Sequence, residues 1–277
     1  MTRHRTVITA QRDRVLRLLS SFHYLTNRHL YSLLGIDRDN ASAHRGVRRI
    51  LLLLVRAGLV TRTQHVIDSP YDRFLRYENC YRLSRAGALA IGCPAVVARK
   101  SAASLAHELL ITDFHLALAA STPPSHRLYW RQTDLKHTVN PDALFAITDT
   151  TQPRDRSTWY YFLEVENSRQ GHYRQGQSSL LGKLQKYVEY RRSDSCRADW
   201  RHFNDFRVVL VLRSRERQMN LLRTLRDRLP HTMLWTACID DLSSGIAGSL
   251  LRAPPDFEIA TYSLFRHSNQ GDRDERH

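Results

Sequence analysis

The segment RVVLVL at residues 207–212 constrains the fold of this chain more than any other. A short run that is almost uniformly apolar is typical of a strand covered on both faces of a sheet. Around it the chain alternates predicted elements in the order helix, three strands, helix, strand, helix, strand. This order indicates a mixed α/β domain, which we expect to span residues 104–265. The polar residues 266–277 are expected to form a disordered tail.

Residues 1–92 predict a different architecture. Apolar periodicity indicates three helices, the third of which begins at Asp39 or Asn40. Two strands follow it, and Ser84 then caps a further helix in the phrase YRLSRAG. Three helices followed by a two-stranded wing make a winged helix-turn-helix, so we expect a two-domain α+β or α/β protein. Residues 93–103 are expected to form the linker between the domains.

The charge of the chain predicts a polyanionic partner. Lys and Arg number 42 against 27 Asp and Glu, the formal net charge is +15, and arginine far outnumbers lysine. Arginine makes bidentate contacts with phosphates and guanine edges, so double-stranded DNA is the expected partner. A solvated basic face in a protein-interaction domain is the alternative. The predicted DNA contacts are His44, Arg45, Arg48 and Arg49 on the third helix, with Arg62 on the wing touching phosphate.

Several other classes of protein are disfavoured. The longest apolar run, residues 50–55, is far shorter than the ~20 residues that a membrane span needs. The basic residues 1–14 lack the apolar core of a secretion signal. Cysteines form no CxxC pair and the 14 histidines are scattered, so a zinc site is not expected. The segment GQSSLLGK lacks the spacing of a phosphate-binding loop. We therefore expect a reduced, cytoplasmic protein without membrane contacts.

Acidic residues at the ends of two predicted strands form the strongest candidate site. Asp142 starts one strand, and Glu164 and Glu166 share a face of the next, because alternate side chains of a strand point the same way. Hairpin pairing of these strands would bring the three carboxylates together. Carboxylates are hard-oxygen ligands for Mg²⁺ or Mn²⁺, and such an ion would relieve their repulsion. The alternatives are a turn aspartate and a solvated strand face with salt bridges to arginines.

The pattern Pro141-Asp142 followed by Glu164-x-Glu166, within an α-β-β-β-α-β order, resembles the PD-(D/E)xK nuclease superfamily. The resemblance covers about residues 104–240. It implies a restriction-endonuclease-like core and a metal-dependent endonuclease or nickase. In that enzyme Asp142, Glu164 and Glu166 would hold Mg²⁺ or Mn²⁺.

The superfamily has a lysine where this chain has Glu166. Some members carry that lysine on the following helix instead, which implies a catalytic role for Lys183, with Lys186 as the alternative. Glu108 matches an acid that some members place on the preceding helix, although an exposed helix acid is the simpler interpretation.

The winged helix followed by such a domain, with the phrases HELLITDFHLAL, PDALF, FLEVEN and KLQKYVEY, resembles the replication-relaxation family of plasmids and integrative elements. The resemblance extends over most of the chain. It implies a role in plasmid replication or a relaxase-like role in mobilisation. Other replication, mobilisation or transposition proteins are the implied partners.

Three functions remain as alternatives. The first is an origin- or sequence-directed DNA-binding protein of a mobile element whose second domain nicks DNA. The second is a non-catalytic regulator or initiator that uses a degenerate nuclease fold as an interaction platform. The third is a transposase subunit, for which the order of the two domains is the reverse of that expected. The sequence leaves open whether the protein is a homodimer.

Overall fold

The computed structural model describes residues 8–67, 76–93, 102–132, 139–153, 157–166, 180–193, 195–200, 205–225, 233–243, 250–252 and 260–265. The chain divides into two compact units, residues 1–116 and 117–277. The expected linker lies mostly outside the described residues, and the expected tail lies wholly outside them. No helix in the described ranges is long and apolar enough to cross a membrane.

The first unit combines short helices with a small antiparallel sheet. Its described elements are α1 (Ala10–Ser21), β1 (Leu25–Thr26), α2 (Asn27–Leu33), α3 (Ala41–Arg56), β2 (Val60–Ile67), β3 (Arg76–Leu83), α4 (Arg85–Ala90) and the first part of α5 (Ala102–Ser121). In the sheet, β3 lies between β1 and β2 and runs antiparallel to both. The two-residue strand β1 was not predicted, because so short a strand produces no periodic pattern.

Capping side chains determine where the helices of this unit begin. Thr26, Asn40 and Ser84 each accept a hydrogen bond from the backbone N–H three residues further on. Each bond satisfies a donor that has no partner inside its own helix. The predicted cap at Ser84 is therefore confirmed, and of the two candidates for the start of α3 the structure uses Asn40.

One face of α3 forms part of the core of the first unit. Val47, Leu51 and Leu54 are buried, at the spacing that places them on one side of the helix. Ile50, another apolar residue of α3, is only partly buried. The buried stripe determines which side of α3 faces outward.

A buried histidine connects α2 to α5. His29 Nδ1 accepts a hydrogen bond from the Thr26 N–H, so Nε2 carries the proton and donates to Asp113 Oδ1 at 3.0 Å. Arg28 forms an ion pair with the same oxygen at 2.8 Å. Burial alone would raise the pKa of Asp113, but its bonds to His29 and Arg28 hold that pKa below its usual value. These contacts therefore favour the ionised form of Asp113, which connects the two helices.

Glu108 makes a second polar contact of this kind. It was interpreted as an exposed acid of the helix, and that interpretation is wrong, because the residue is only 6% exposed. Its Oε2 lies 3.1 Å from His23 Nδ1, so the carboxylate is engaged within the first unit.

In its described residues, the second unit is built around a mixed sheet of seven strands. Its elements are β4 (His126–Arg131), β5 (Ala143–Asp149), β6 (Thr158–Glu166), α6 (Leu180–Arg192), α7 (Ser195–Asp199), β7 (Arg207–Leu212), α8 (Arg215–Leu225), β8 (Leu234–Cys238), β9 (Leu250–Arg252) and β10 (Ala260–Tyr262). The strand order is β10-β9-β8-β7-β6-β5-β4, with β6, β7 and β8 parallel. The middle position of β7 and the burial of residues 208–212 confirm the predicted central strand.

Helices α6 and α8 cover one face of this sheet. Phe162 of β6 and Leu210 of β7 pack with Leu184 and Tyr187 of α6 and with Leu221 of α8 in one apolar cluster. The fold is thus a mixed α+β arrangement in which α6 lies over β6.

Gly87 in α4 marks a close approach between two elements of the first unit. A Cβ at this position would lie 2.1 Å from the backbone oxygen of Leu59 and 2.9 Å from Leu83 Cδ1. The same Leu59 oxygen accepts a hydrogen bond from the Ser84 N–H at 3.0 Å. The Leu-Ser-x-x-Gly phrase at residues 83–87 therefore has a physical reason. Its serine caps α4, and its glycine lets the first turn of α4 lie against the turn that follows α3.

We expect Gly87→Ala to lower the free energy of unfolding by about 1–3 kcal/mol, because the backbone must shift to admit a methyl group. The control is Gly46→Ala in α3, where an added Cβ meets nothing within 4 Å. It should raise stability by up to about 1 kcal/mol, since alanine favours a helix over glycine. Urea unfolding followed by circular dichroism measures both, and equal effects would contradict the close approach.

Candidate carboxylate–lysine site and basic helix face

Strands β5 and β6 bring Asp142 beside Glu164. Ala143 pairs with Leu163, so one position further along Asp142 lies opposite Glu164, and side chains at opposed positions share a face. The Asp142 N–H donates to the Leu163 oxygen at 2.9 Å, and Asp142 Oδ2 accepts from the Val165 N–H at 2.8 Å. Backbone groups of β6 therefore anchor this aspartate on both its main chain and its side chain.

Glu164 is buried under α6, and both of its carboxylate oxygens have a protein donor. Lys183 Nζ donates to Oε2, and the Tyr187 hydroxyl donates to Oε1. These two donors are four residues apart on α6, which places them on one face of the helix. Burial, together with the charge of Asp142, raises the pKa of Glu164 to about 7 in spite of both donors.

The two donors keep their protons. Burial alone would lower the pKa of Lys183, but Glu164, Asp142 and Glu166 raise it above its usual value, so the ammonium is charged. Burial and the neighbouring Glu164 raise the pKa of Tyr187 well above its usual value, so the hydroxyl remains a donor. The Lys183 side chain is 41% exposed and that of Glu164 only 4%, so Lys183 reaches the buried carboxylate from the solvent side.

Glu166 ends β6 on the same face as Glu164 and is partly buried. It contributes negative charge to the surroundings of Lys183. Across the described ranges, no group of three or more His, Cys, Asp or Glu side chains is arranged to hold a metal ion. Of the candidate residues, the structure brings together Asp142, Glu164 and Lys183. Lys186 is exposed on α6.

Tyr187 is a residue of this site to which sequence reasoning assigned no role. Its spacing of four residues from Lys183 was visible in the sequence. What the sequence does not show is that both side chains converge on one carboxylate, because that depends on how α6 lies over β6.

In the first unit, an arginine face lies on the outward side of α3. Arg45, Arg48 and Arg49 are exposed, at the spacings that align side chains along one helix face. Arg48 Nε donates to the Tyr31 hydroxyl of α2 at 3.0 Å, which orients that guanidinium. Arg62 is exposed on β2.

His44 is placed differently from these arginines. Its ring stacks on Tyr31, with centroids 4.0 Å apart and planes 14° apart, and it is partly buried. It therefore contributes to the contact between α2 and α3. Tyr31, which touches both His44 and Arg48, was missed because nothing in its local sequence distinguishes it from a packing residue.

These features define an α+β protein with an exposed arginine face in one unit and a buried carboxylate–lysine site in the other. A family model described as replication-relaxation matches residues 16–209, well over half of the 277-residue chain. The chain belongs to the replication-relaxation family, as its short motifs suggested. This membership connects it with DNA processing in replication.

Two further comparisons add little. No curated protein matches the chain. The solved structure of the restriction endonuclease FokI is similar at 13% identity and a TM-score of 0.30, over 84% of this chain and 43% of the FokI chain. The chain thus spans less than half the length of FokI, and a similarity this weak supports no conclusion about fold or activity.

We expect Tyr187→Phe to lower the free energy of unfolding by about 1–3 kcal/mol, because it removes a donor from the buried Glu164. The phenyl ring would keep its contacts with Phe162 and Phe206. The control is Tyr129→Phe on β4, a residue that is 55% exposed, for which the change should stay within about 0.5 kcal/mol. If urea unfolding shows Tyr187→Phe to be as stable as the wild type, the hydroxyl contact does not stabilise Glu164.

Proposed function

We propose that this protein binds double-stranded DNA through its first unit and nicks it at the carboxylate–lysine site of its second unit. The place of action would be a replication origin or transfer site of a plasmid or another mobile element. Family membership supports the connection with replication. The nicking activity is proposed because Asp142, Glu164 and Lys183 lie together in the second unit.

In this function the first unit would be a winged helix-turn-helix. Helices α2 and α3 would form the helix-turn-helix, and the β2–β3 hairpin would form the wing. With its core stripe turned inward, α3 would present Arg45, Arg48 and Arg49 to the major groove. Arg62 would contact phosphate, and His44 would act indirectly by packing on Tyr31.

The donor chemistry of the second unit fits a divalent cation. Asp142, which immediately precedes β5, and Glu164 on β6 would be two hard carboxylate ligands, and Glu166 follows on the same face of β6. Burial and the charge of Asp142 raise the pKa of Glu164, and a bound cation would favour its charged form. Mg²⁺ or Mn²⁺ held there would supply a Lewis acid at the scissile phosphate.

The other side chains of the site would position the reacting groups. Tyr187 holds Glu164 in place through its hydroxyl. Lys183, which is charged and half-exposed, would contact a phosphate oxygen of the bound strand. Hydrolysis would add water to phosphorus and break one P–O ester bond, which leaves a hydroxyl end and a phosphate end at the nick.

The contacts of Glu164 also favour a second, non-catalytic function. Both oxygens of Glu164 already have protein donors, and Glu166 occupies the position where the PD-(D/E)xK pattern has lysine. A site compensated in this way also suits a non-catalytic regulator or initiator. Such a protein would bind DNA through α3 and use the second unit to assemble other replication or mobilisation proteins.

We expect the triple variant Arg45/Arg48/Arg49→Ala to lose roughly 1–3 kcal/mol of DNA-binding free energy per base contact removed. The dependence of log affinity on log salt should fall by about 0.9 for each phosphate that the variant no longer neutralises. The control triple Arg14/Arg85/Arg192→Ala removes the same charge from exposed positions on other helices. Fluorescence anisotropy at several salt concentrations measures both, and equal losses in the two triples would refute the assignment to α3.

We expect Asp142→Asn to abolish nicking of supercoiled plasmid in Mg²⁺ or Mn²⁺, by about 10²-fold or more, because the amide is a poor metal ligand. The amide oxygen can still accept from the Val165 N–H, so the fold should survive. Glu189→Gln, an exposed acid on α6, is the matched control and should nick normally. Equal nicking by the wild type and Asp142→Asn would refute the site, and no nicking by either would favour the non-catalytic function.

A further inference from the structure

We propose that an outer strand of the second unit carries a binding surface for single-stranded DNA, formed by Arg127, Tyr129 and Arg131 of β4. Together these three residues form the β4 strip. The inference rests on DNA being the partner, as proposed above, and extends that function by giving the second unit a DNA contact of its own. It requires neither cleavage nor a bound metal ion.

The β4 strip consists of alternate residues on one face of a strand. Arg127 and Arg131 are exposed, and Tyr129 between them is 55% exposed. Leu128 and Trp130 are partly buried, because alternate side chains of a strand point to opposite faces. In the described part of the sheet β4 is an edge strand, so the strip borders open space on one side.

The two arginines of the strip are available to phosphate groups. Within the described residues, neither guanidinium forms an ion pair or a hydrogen bond. Arginine makes bidentate contacts with phosphate oxygens, and the chain as a whole is strongly basic. Four residues of extended strand separate Arg127 from Arg131 by about 13 Å, so they would contact phosphates on either side of one base.

Tyr129 gives the strip an aromatic surface for that base. Its cross-strand neighbour on β5 is Ala146, whose methyl group is too small to cover an aromatic ring. The bases of a single strand can stack on an exposed aromatic side chain, whereas those of a duplex stack on one another. Charged residues alone would keep an edge strand from pairing with another chain, and that purpose needs no exposed tyrosine. An aromatic ring between two cations therefore favours a single strand over a duplex or a protein strand.

The β4 strip lies on the same face of the sheet as the carboxylate–lysine site. Arg131 pairs with Leu144 of β5, and Leu144 pairs with Phe162 of β6. Glu164 follows two residues after Phe162 and so shares its face. Neighbouring strands lie about 4.8 Å apart, which places the backbone of Arg131 roughly 10 Å from that of Phe162. A DNA strand bound along the strip would therefore lead towards Lys183.

The experiment measures binding of a fluorescently labelled oligodeoxythymidine of about 15 nucleotides to the full chain by fluorescence anisotropy. All variants are made in the Arg45/Arg48/Arg49→Ala background, which removes the arginine face of α3 as a second DNA site. Tyr129→Thr keeps a β-branched residue in the strand and is expected to weaken binding about fivefold or more, because no ring remains to stack on a base. Tyr129→Phe keeps the ring and should bind within about twofold of the background protein.

The arginines of the strip are tested through the salt dependence of binding. Arg127/Arg131→Gln should lower the slope of log affinity against log salt by about 1.4, the value for two phosphates of a single strand. The control Arg192/Arg223→Gln removes the same charge from exposed positions on α6 and α8 and should lower the slope by less than about 0.7. Arg127→Gln alone, with an expected decrease of about 0.7, replaces the double variant if that protein does not fold.

An abasic strand of the same length separates stacking from charge. The background protein should bind it about fivefold or more weakly than the oligodeoxythymidine, because it offers phosphates without bases. Tyr129→Thr should bind the two strands equally.

Three results would overturn the inference. The first is single-strand binding that neither Tyr129→Thr nor Arg127/Arg131→Gln changes. The second is an equal loss of slope in the two double arginine variants, because general charge would then explain the binding. The third is a duplex that binds the background protein more tightly than the single strand and is lost in Arg127/Arg131→Gln. The function proposed for α3 is judged separately, by duplex binding with and without Arg45, Arg48 and Arg49, so either can fail alone.

Discussion

The second unit depends on the burial of one ionisable carboxyl group, that of Glu164. A buried carboxylate costs several kcal/mol unless hydrogen bonds and opposite charge compensate it. Helix α6 supplies that compensation through Lys183 and Tyr187, on a helix face that otherwise packs apolar side chains against the sheet. The position of α6 along β6 is therefore restricted twice. Apolar packing restricts it loosely, and the two bonds to one carboxylate restrict it closely.

The partly buried Asp113 and the buried Glu164 differ in the direction in which their pKa is shifted. Asp113 bonds to His29 and Arg28 through the same oxygen, and these contacts lower its pKa. Glu164 also has a hydroxyl donor and a cation, yet its pKa is raised, because burial and the charge of the neighbouring Asp142 outweigh those two contacts. The contacts of Asp113 therefore favour its ionised form, whereas Glu164 is a buried acid with a strongly perturbed pKa, the kind of group that clusters at functional sites.

Sequence reasoning succeeded where local rules decide the outcome. Helix caps such as Ser84, the central strand β7 and the pairing that places Asp142 beside Glu164 all follow from spacing and periodicity. Sequence reasoning failed where the partner of a side chain is distant in the sequence. The burial of Glu108 against His23 and the convergence of Tyr187 on Glu164 are set by how helices pack, which no local pattern encodes.

The departure from the PD-(D/E)xK pattern at Glu166 changes the balance of charge more than it changes the geometry. A lysine at this position would extend from the same strand face as Glu164, and it would add a positive charge to a site that already has Lys183. With glutamate there, Lys183 is the cation that the structure brings onto Glu164, and it reaches the site from a helix on a half-exposed side chain. Because position 166 carries an acid, it cannot replace that charge, so the buried Glu164 depends on Lys183 for its ion pair.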